Sequence, residues 1–266
     1  MDCDLWIGNT LDVPIDDEVA RITKTVYNCC KNAGANMDHI AVTEDADVAA
    51  QISRVKGAKA CYAWPASTLQ PWKLTAHIMR ENIKLGVNLQ TYTTVEEVIP
   101  ATSSLHTWVV RSDRGEIACN TVVHASNAYI AAVEPSLRGI ITPTPHMCNK
   151  VIPPRGFSGN KVLQNSYGIL LPNGGLISIN TRCNSDGVMM FGGSNAGQRE
   201  LDEWIASHPE KATHDQFSGV VKVTNCIREL VRENFEGWRE AAMGPGEGFD
   251  YDWSGIIGRV SDFVIS

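Results

Sequence analysis

The sequence predicts an α/β fold, and three of its features indicate that class. Amphipathic helical segments alternate with short strands through the first half of the chain. A short apolar strand at 121–125 then runs into Ala125, Ser126 and Asn127, small residues of the kind that end a parallel strand where another molecule approaches its backbone. From Ile140 onward, prolines, short strands and Gly-rich turns predict an antiparallel sheet.

The composition predicts a globular protein without a polyanionic partner. The 266 residues are 43% hydrophobic, and 23 basic against 30 acidic side chains give a net charge of −7. That charge argues against nucleic acid and anionic membranes as partners. The acidic start, "MDCDLWIGNTLDVPIDDEV", is unlike a secretory signal, and no apolar run reaches the length of about 18 residues that spans a bilayer. We therefore expect an intracellular and most simply a cytoplasmic protein.

Four helices are predicted from apolar spacing and from residues that begin or end helices. The acids at 16–18 open the first helix, and Gly34 follows its end. The second helix is expected to begin at a Thr43 cap and to end at Gly57, so this whole opening region is predicted to be mostly helical. Pro71 lies in the first turn of the third helix. The fourth is expected at about 217–237.

Strands are predicted where apolar and polar residues alternate between turn signals. Alternation occurs at 87–91, further strands are predicted at 94–99, 108–111 and 117–119 around the turn at 113–115, and 121–125 is predicted as a short apolar strand. Further along, the turn signals at 172–175 and 185–187 separate the strands of the predicted antiparallel sheet.

The eight cysteines show no C-x-x-C pair and no spacing to histidine that would suggest zinc, so we expect reduced thiols and no metal site. Cys29 and Cys30 are adjacent on the first predicted helix. One of them is expected to be buried and the other half-exposed, as small hydrophobic residues, with a redox pair as the alternative.

Five segments, in chain order, carry a family resemblance. They read "AKACYAWPASTLQPWKLTAHIM", "GVNLQTYTTVEEV", "GEIACNTVVHASNAY" with its trailing "EPSLRGIITP", "DGVMMFGGSN" and "YDWSGIIGRVSD". They resemble the FAD-dependent oxidoreductases of the D-amino-acid oxidase and glycine oxidase type, most closely their fungal branch. The resemblance spans nearly the whole chain. It implies an FAD cofactor, a small amine or amino-acid substrate, and transfer of hydride from the carbon bearing the amine to flavin N5.

The same resemblance implies roles for individual residues. Val95 matches a valine whose backbone lies against the adenine, and Arg182 matches a recurrent arginine of the substrate sheet, a possible contact for the substrate carboxylate. Seven further residues match positions near the cofactor: Ala125, Ser126, Asn127, Trp253, Gly255, Gly258 and Asp262. The resemblance assigns no other catalytic residue.

These positions also have structural interpretations. Val95 and Trp253 are residue types that commonly fill a core, and Arg182 would suit an exposed hairpin beside Asp186. His124, on an apolar segment, is expected to be a buried structural histidine.

Parts of the family pattern are missing from the sequence. No strand leads into the G-x-G-x-x-G turn that holds the FAD pyrophosphate, since "FGGSNAG" and "GPGEGF" have other spacings. Only four residues follow Asp262, where the family continues with a closing helix. Thr144-Pro145-His146 stands where many relatives carry Arg-Gly-Gln.

We therefore predict a partial Rossmann-like FAD-binding domain with an inserted antiparallel substrate domain. Residues 1–140 would form a helical segment and part of the FAD-binding domain, 141–237 the substrate domain, and 238–266 the return to the FAD-binding domain. Two functions stay open: an FAD-dependent oxidoreductase acting on the C–N bond of an amino acid or amine, and a truncated, non-catalytic paralogue or fragment without FAD chemistry.

Overall fold

A computed structural model of the protein describes residues 2–102, 104–214, 220–238 and 248–260. The chain divides into two compact units. Unit 1 comprises Met1–His77, Met147–Glu203 and Gln216–Ser254, and unit 2 comprises Ile78–His146, Trp204–Asp215 and Gly255–Ser266.

Eleven strands lie within the described residues. They are β1 (Trp6–Pro14), β2 (Ala41–Thr43), β3 (Cys61–Thr68), β4 (Val95–Pro100), β5 (Trp108–Ser112), β6 (Gly115–Cys119), β7 (Ile141–Ile152), β8 (Ser166–Leu171), β9 (Gly175–Thr181), β10 (Met189–Gly192) and β11 (Gly248–Val260). Eight form one sheet in the order β11-β7-β10-β9-β8-β1-β3-β2, and β4-β5-β6 form a second, antiparallel sheet. The large sheet is mixed, because β1 runs antiparallel to β3 and parallel to β8.

Five α-helices accompany these strands in the described residues. They are α1 (Asp17–Asn32), α2 (Ala46–Ser53), α3 (Pro71–Lys84), α4 (Ala196–Ser207) and α5 (Val221–Asn234). A large mixed sheet with helices and a separate antiparallel sheet confirms the predicted α/β class.

Helix ends follow the local capping chemistry. The Asp16 carboxylate accepts hydrogen bonds from the backbone N–H of Glu18 (2.9 Å) and of Val19 (3.2 Å), which confirms the predicted start of α1. The predicted bounds of α2 were wrong at both ends. Asp45, not Thr43, caps it, and the helix ends at Arg54, whose φ of 62° breaks the helical path before Gly57.

The prediction that the opening region is mostly helical was wrong, because β1 crosses it and β3 follows. Both belong to the large sheet, where β1 lies between β3 and β8, and β8 comes much later in the chain. Their pairing is non-local, so helix signals nearby did not reveal it. The predicted boundary at residue 140 separates these two strands from β8, although all three share one sheet in unit 1.

Two predicted strands are not strands. The segments 87–91 and 121–125 have no regular secondary structure, and Val123 is 83% exposed. Apolar alternation alone does not make a strand without a neighbour that accepts its backbone hydrogen bonds. The strands predicted at 94–99, 108–111 and 117–119 are confirmed as β4, β5 and β6.

The core of unit 1 includes buried apolar residues of the large sheet. Buried apolar residues alternate along its strands, as Ile177 and Ile179 do on β9. Five aromatic rings form a contact cluster at centroid distances of 5.2 to 6.3 Å: Phe157, Tyr167, Phe191, Phe235 and Trp238. The helix α5 adds its buried stripe: Val223, Ile227, Leu230 and Val231.

The described helices include none that is both long and apolar enough to cross a membrane. Cys29 and Cys30 are both exposed on α1, so the expectation that one of them is buried was wrong. α1 buries none of its residues.

Cysteine reactivity should follow burial. Burial, with a smaller contribution from the charge of Asp12, raises the pKa of the Cys61 thiol to about 11. At pH 8 we expect the native Cys61 to react with iodoacetamide on the order of a hundredfold more slowly than an ordinary exposed thiol, because only the thiolate attacks. Mass mapping of a timed labelling reaction, with urea-unfolded protein as the reference, checks this. Equal labelling of Cys61 and the exposed Cys29 in the native protein would contradict it.

Candidate functional site

A cavity of about 270 Å³ lies within unit 1. Its walls come from the start of β1, the end of β3, the end of β9 with the turn after it, and single residues of β10 and β11. The lining combines two tryptophans and a methionine with a few polar groups: Asp4, Trp6, Asn180, Thr181, Arg182, Met190 and Trp253 among them. Apolar walls with few polar groups are the usual make-up of a small-molecule site.

The aromatic wall depends on a glycine. Trp6 is 8% exposed, and its indole lies over the backbone of Gly8, where an added Cβ would overlap the ring. Residues two apart on a strand share a face, and because Gly8 has no side chain, the Trp6 ring can lie against the strand there. Trp253, on β11, is half-buried and stacks on Tyr251 at a centroid distance of 5.9 Å.

Arg182 is the cationic residue of the cavity wall, and it is held by two carboxylates. Its Nη2 donates to Asp4 Oδ2 at 2.9 Å and to Ser185 Oγ at 3.2 Å, while Nη1 donates to Asp186 Oδ2 at 2.9 Å. The contact with Asp186 lies within the turn that follows β9. The contact with Asp4 was not predicted, and it joins residues 178 positions apart.

Asp4 connects Arg182 to a second cation. Lys73, on α3, donates to Asp4 Oδ1 at 2.8 Å. The hydrogen bond from Lys73 is the largest cause that holds the pKa of the Asp4 carboxyl below its usual value, and Arg182 adds to the effect. In turn, Asp4 raises the pKa of Lys73. The Asp4 carboxylate thus bridges two cations at the edge of the cavity.

Thr181 supplies a polar atom without a partner. This residue lines the cavity and is 3% exposed. Its Oγ1 is buried and has no hydrogen-bond partner among the described residues. A buried hydroxyl in that state is costly unless a further group satisfies it.

Unit 2 brings together two other predicted residues, Asn127 and Gly258. A Cβ at Gly258 would lie 2.6 Å from Asn127 Oδ1 and 3.2 Å from the backbone nitrogen of Ala128, so a side chain at 258 would force Asn127 to shift. Asn127 begins a 3₁₀ turn (Asn127–Ala132) with a φ of 47°, a conformation that asparagine tolerates better than most residues. Beside it, Ser126 Oγ is buried without a partner in the described part of the chain.

The remaining predicted cofactor residues have varied environments. Val95 begins β4 and is 41% exposed, so it is not a core residue. Ala125 is exposed, and the space around Gly255 on β11 is open, since an added Cβ would meet no atom within 4 Å. Asp262 lies outside the described residues.

Sequence reasoning missed three residues of the unit 1 cluster, namely Asp4, Trp6 and Lys73. One signal was available. From Leu5 to Val13 the apolar residues alternate in the period of a strand, which would have placed Trp6 and Gly8 on one face. The ion pairs carry no such signal, because they depend on tertiary contacts.

The chain belongs to the DAO family of FAD-dependent oxidoreductases, whose family model matches residues 1–266. Comparison with curated proteins finds no match.

Solved structures share the fold at low sequence identity. Glycine oxidase from Geobacillus kaustophilus superimposes with a TM-score of 0.70 at 16% identity, covering 98% of this chain and 62% of the oxidase. L-Amino acid deaminase from Proteus vulgaris superimposes with a TM-score of 0.66 at 14% sequence identity, and the match covers 98% of this chain and 66% of the deaminase. L-α-Glycerophosphate oxidase from Mycoplasma pneumoniae, solved with FAD bound, superimposes with a TM-score of 0.68 at 9% sequence identity. The match covers 98% of this chain and 63% of that oxidase. This chain thus spans about two thirds or less of each of these proteins.

Because the family uses FAD, the residues of unit 2 can be compared with what part of that cofactor would need. Ser126 Oγ, buried and without a hydrogen-bond partner among the described residues, offers a polar atom to such a group. Gly258, next to Asn127, places no side chain there. On these two points the residues fit part of the cofactor. The described residues contain no group of three or more His, Cys, Asp or Glu arranged to hold a metal ion.

Proposed function

We propose that this chain forms the substrate-binding part and a portion of the cofactor-binding part of an FAD-dependent oxidoreductase acting on the C–N bond of an amino acid or amine. One observation carries the proposal. Trp253, matched to a flavin-side motif, and Arg182, matched to a substrate-side motif, line the same cavity of unit 1. The fungal branch suggested by the motifs is part of the same proposal.

Each unit would contribute its own residues to this activity. In unit 1, Arg182 would bind the substrate carboxylate while Trp6 and Trp253 enclose its apolar part and exclude water. In unit 2, Val95, Ser126, Asn127, Gly255 and Gly258 would contact the cofactor. When bound, FAD would accept a hydride at N5 from the carbon bearing the amine and pass the electrons to oxygen.

The visible absorption spectrum of the purified chain, with and without added FAD, tests the cofactor part of the proposal. Flavin bands at roughly 375 and 450 nm that survive desalting are the expected result. Oxygen consumption would then be screened with amino acids, N-methyl amino acids and glycerophosphate. Turnover of glycerophosphate alone would refute action on a C–N bond.

A glycine substitution tests the assigned residues of unit 2. Gly258→Ala would push against Asn127 Oδ1 and the Ala128 backbone. We expect it to weaken FAD binding about tenfold, which corresponds to about 1.4 kcal/mol. Fluorescence titration of FAD measures this. Thr121→Ala, an exposed change in the same unit, is the control and should alter the dissociation constant less than about twofold. Equal affinity of the Gly258→Ala variant and the parent would remove Gly258 from the site.

The second candidate is a non-catalytic paralogue that binds small ligands, and the observation that favours it is a cavity whose lining lies wholly within unit 1. It predicts a folded, colourless protein that binds small ligands in unit 1. A cooperative melting transition with no flavin absorbance would support this candidate over the oxidoreductase.

A further inference from the structure

Arg182 has carboxylate partners both nearby and far away in the chain. Asp186 is four residues away and lies in the turn that follows β9, so its contact with Nη1 is part of the local structure. Asp4 comes from the segment before β1 and contacts Nη2. Nη2 also donates to the nearby Ser185 Oγ, so the contact with Asp4 is the one hydrogen bond of this guanidinium, among the described residues, that reaches another segment of the chain.

Asp4 has an alternative partner when it leaves Arg182. Its two oxygens are used separately, Oδ1 by Lys73 and Oδ2 by Arg182. Lys73 also lies 3.8 Å from the Asp2 carboxylate, so it is the centre of a small acidic cluster. A carboxylate that keeps one cation after losing the other avoids most of the cost of a stranded charge.

The backbone at Asp4 is also unusual. Its φ of 53° lies in the left-handed region, where asparagine and aspartate are the most tolerated residues after glycine. The segment holds this conformation while its carboxylate, 17% exposed, bridges the two cations. Asparagine can replace aspartate here without a change of backbone, which makes Asp4 testable.

The cavity limits the ligands that could replace Asp4. Its volume of about 270 Å³ suits a small molecule, and its tryptophan and methionine walls suit an apolar substituent. The unpartnered Thr181 Oγ1 supplies a second polar group in the same lining. A small carboxylic acid with an apolar side chain matches these features.

We propose that Asp4 is an internal competitor for Arg182, and that a small carboxylic acid binds in the unit 1 cavity by displacing the Asp4 carboxylate from Nη2 while Asp4 stays paired with Lys73. The inference rests on the proposed function, since it concerns the same arginine. It makes Asp4 the residue that sets the affinity for carboxylate ligands.

Calorimetric titration of the full chain with cyclohexanecarboxylate tests this, with cyclohexanecarboxamide as the uncharged control ligand. Asp4→Asn should tighten carboxylate binding about tenfold and leave the weak binding of the amide unchanged. Asp186→Asn removes the other carboxylate on Arg182 and is the matched control, with an expected gain below about threefold. Lys73→Gln should weaken carboxylate binding, because Asp4 then has Arg182 as its remaining partner in the bridge.

Two results would overturn the proposal. One is an Asp4→Asn variant that binds the carboxylate no better than the parent, including the case in which neither binds. The other is an equal gain from Asp186→Asn, which would indicate a general effect of charge. The double variant Asp4→Asn/Arg182→Gln should lose the gain, and melting curves verify that each variant is folded. The readout needs no flavin, so a failure of the proposed oxidoreductase activity would be seen separately.

Discussion

Replacing Phe235 by alanine is expected to lower the free energy of unfolding by about 3–5 kcal/mol. Phe235 is 1% exposed, and its ring contacts those of Phe157, Tyr167 and Trp238 at centroid distances of 5.8 to 6.3 Å. The change removes the transfer free energy of a phenyl ring and leaves a cavity whose walls are themselves rigid rings. Urea unfolding followed by tryptophan fluorescence measures the loss.

An exposed apolar residue of the adjoining helix α5 provides the control. Val221→Ala removes a side chain that is 64% exposed, so stability should change by no more than about 0.5 kcal/mol. A comparable loss in both variants would mean that the aromatic cluster is not the centre of the core.

The second large effect is expected from Gly193→Ala, in the "DGVMMFGGSN" motif. Gly193 has a φ of 105°, and an added Cβ would overlap the carbonyl of Leu176 and approach Ile177 Cα to 3.0 Å. Both obstacles are backbone atoms, which no rotamer change can move. Leu176 also donates its N–H to Ser194 O at 3.2 Å, which fixes the two segments together. Backbone strain and steric overlap together should lower the free energy of unfolding by about 2–5 kcal/mol.

Gly187→Ala separates these two causes. Gly187 also has a left-handed φ, 72°, but the nearest atom to an added Cβ is Val162 Cγ2 at an ordinary 3.7 Å. The Gly187→Ala variant should therefore lose only the stability that backbone strain at a left-handed φ costs, about 1 kcal/mol of the free energy of unfolding. Thermal melting of the two variants side by side gives the comparison. Equal melting temperatures would show that the approach to Leu176 does not constrain residue 193.

Local chemistry made some of the fold predictable. The start of α1 follows from an aspartate cap and acids in the first turn, all within a few residues, and the strands β4 to β6 follow from alternation bounded by a tight turn. The strand β1 has alternation too, but the strong helix-start signal at 16–18 follows it directly. Its place in the sheet depends on β8, a partner late in the chain, and no local pattern contains that information.

The candidate site was also predictable only in part. Family resemblance selected Arg182 and Trp253, and both line the cavity. It did not reveal the Asp4 bridge, because that contact joins the start of the chain to the end of β9 and to α3. Charged side chains usually lie in solvent, so the residue types alone gave no reason to place one in a cavity wall.

The position of β1 in the middle of the large sheet has a consequence for how the protein is made. β1 is synthesised before both of its neighbours in the sheet: it can pair with β3 soon afterwards, but its other edge waits for β8, and the described sheet is completed only when β11 has been synthesised. Until then the nascent chain carries unpaired strand edges. Such non-local, partly parallel pairing is slow. Yield in a bacterial host should therefore improve at low temperature and with co-produced chaperones.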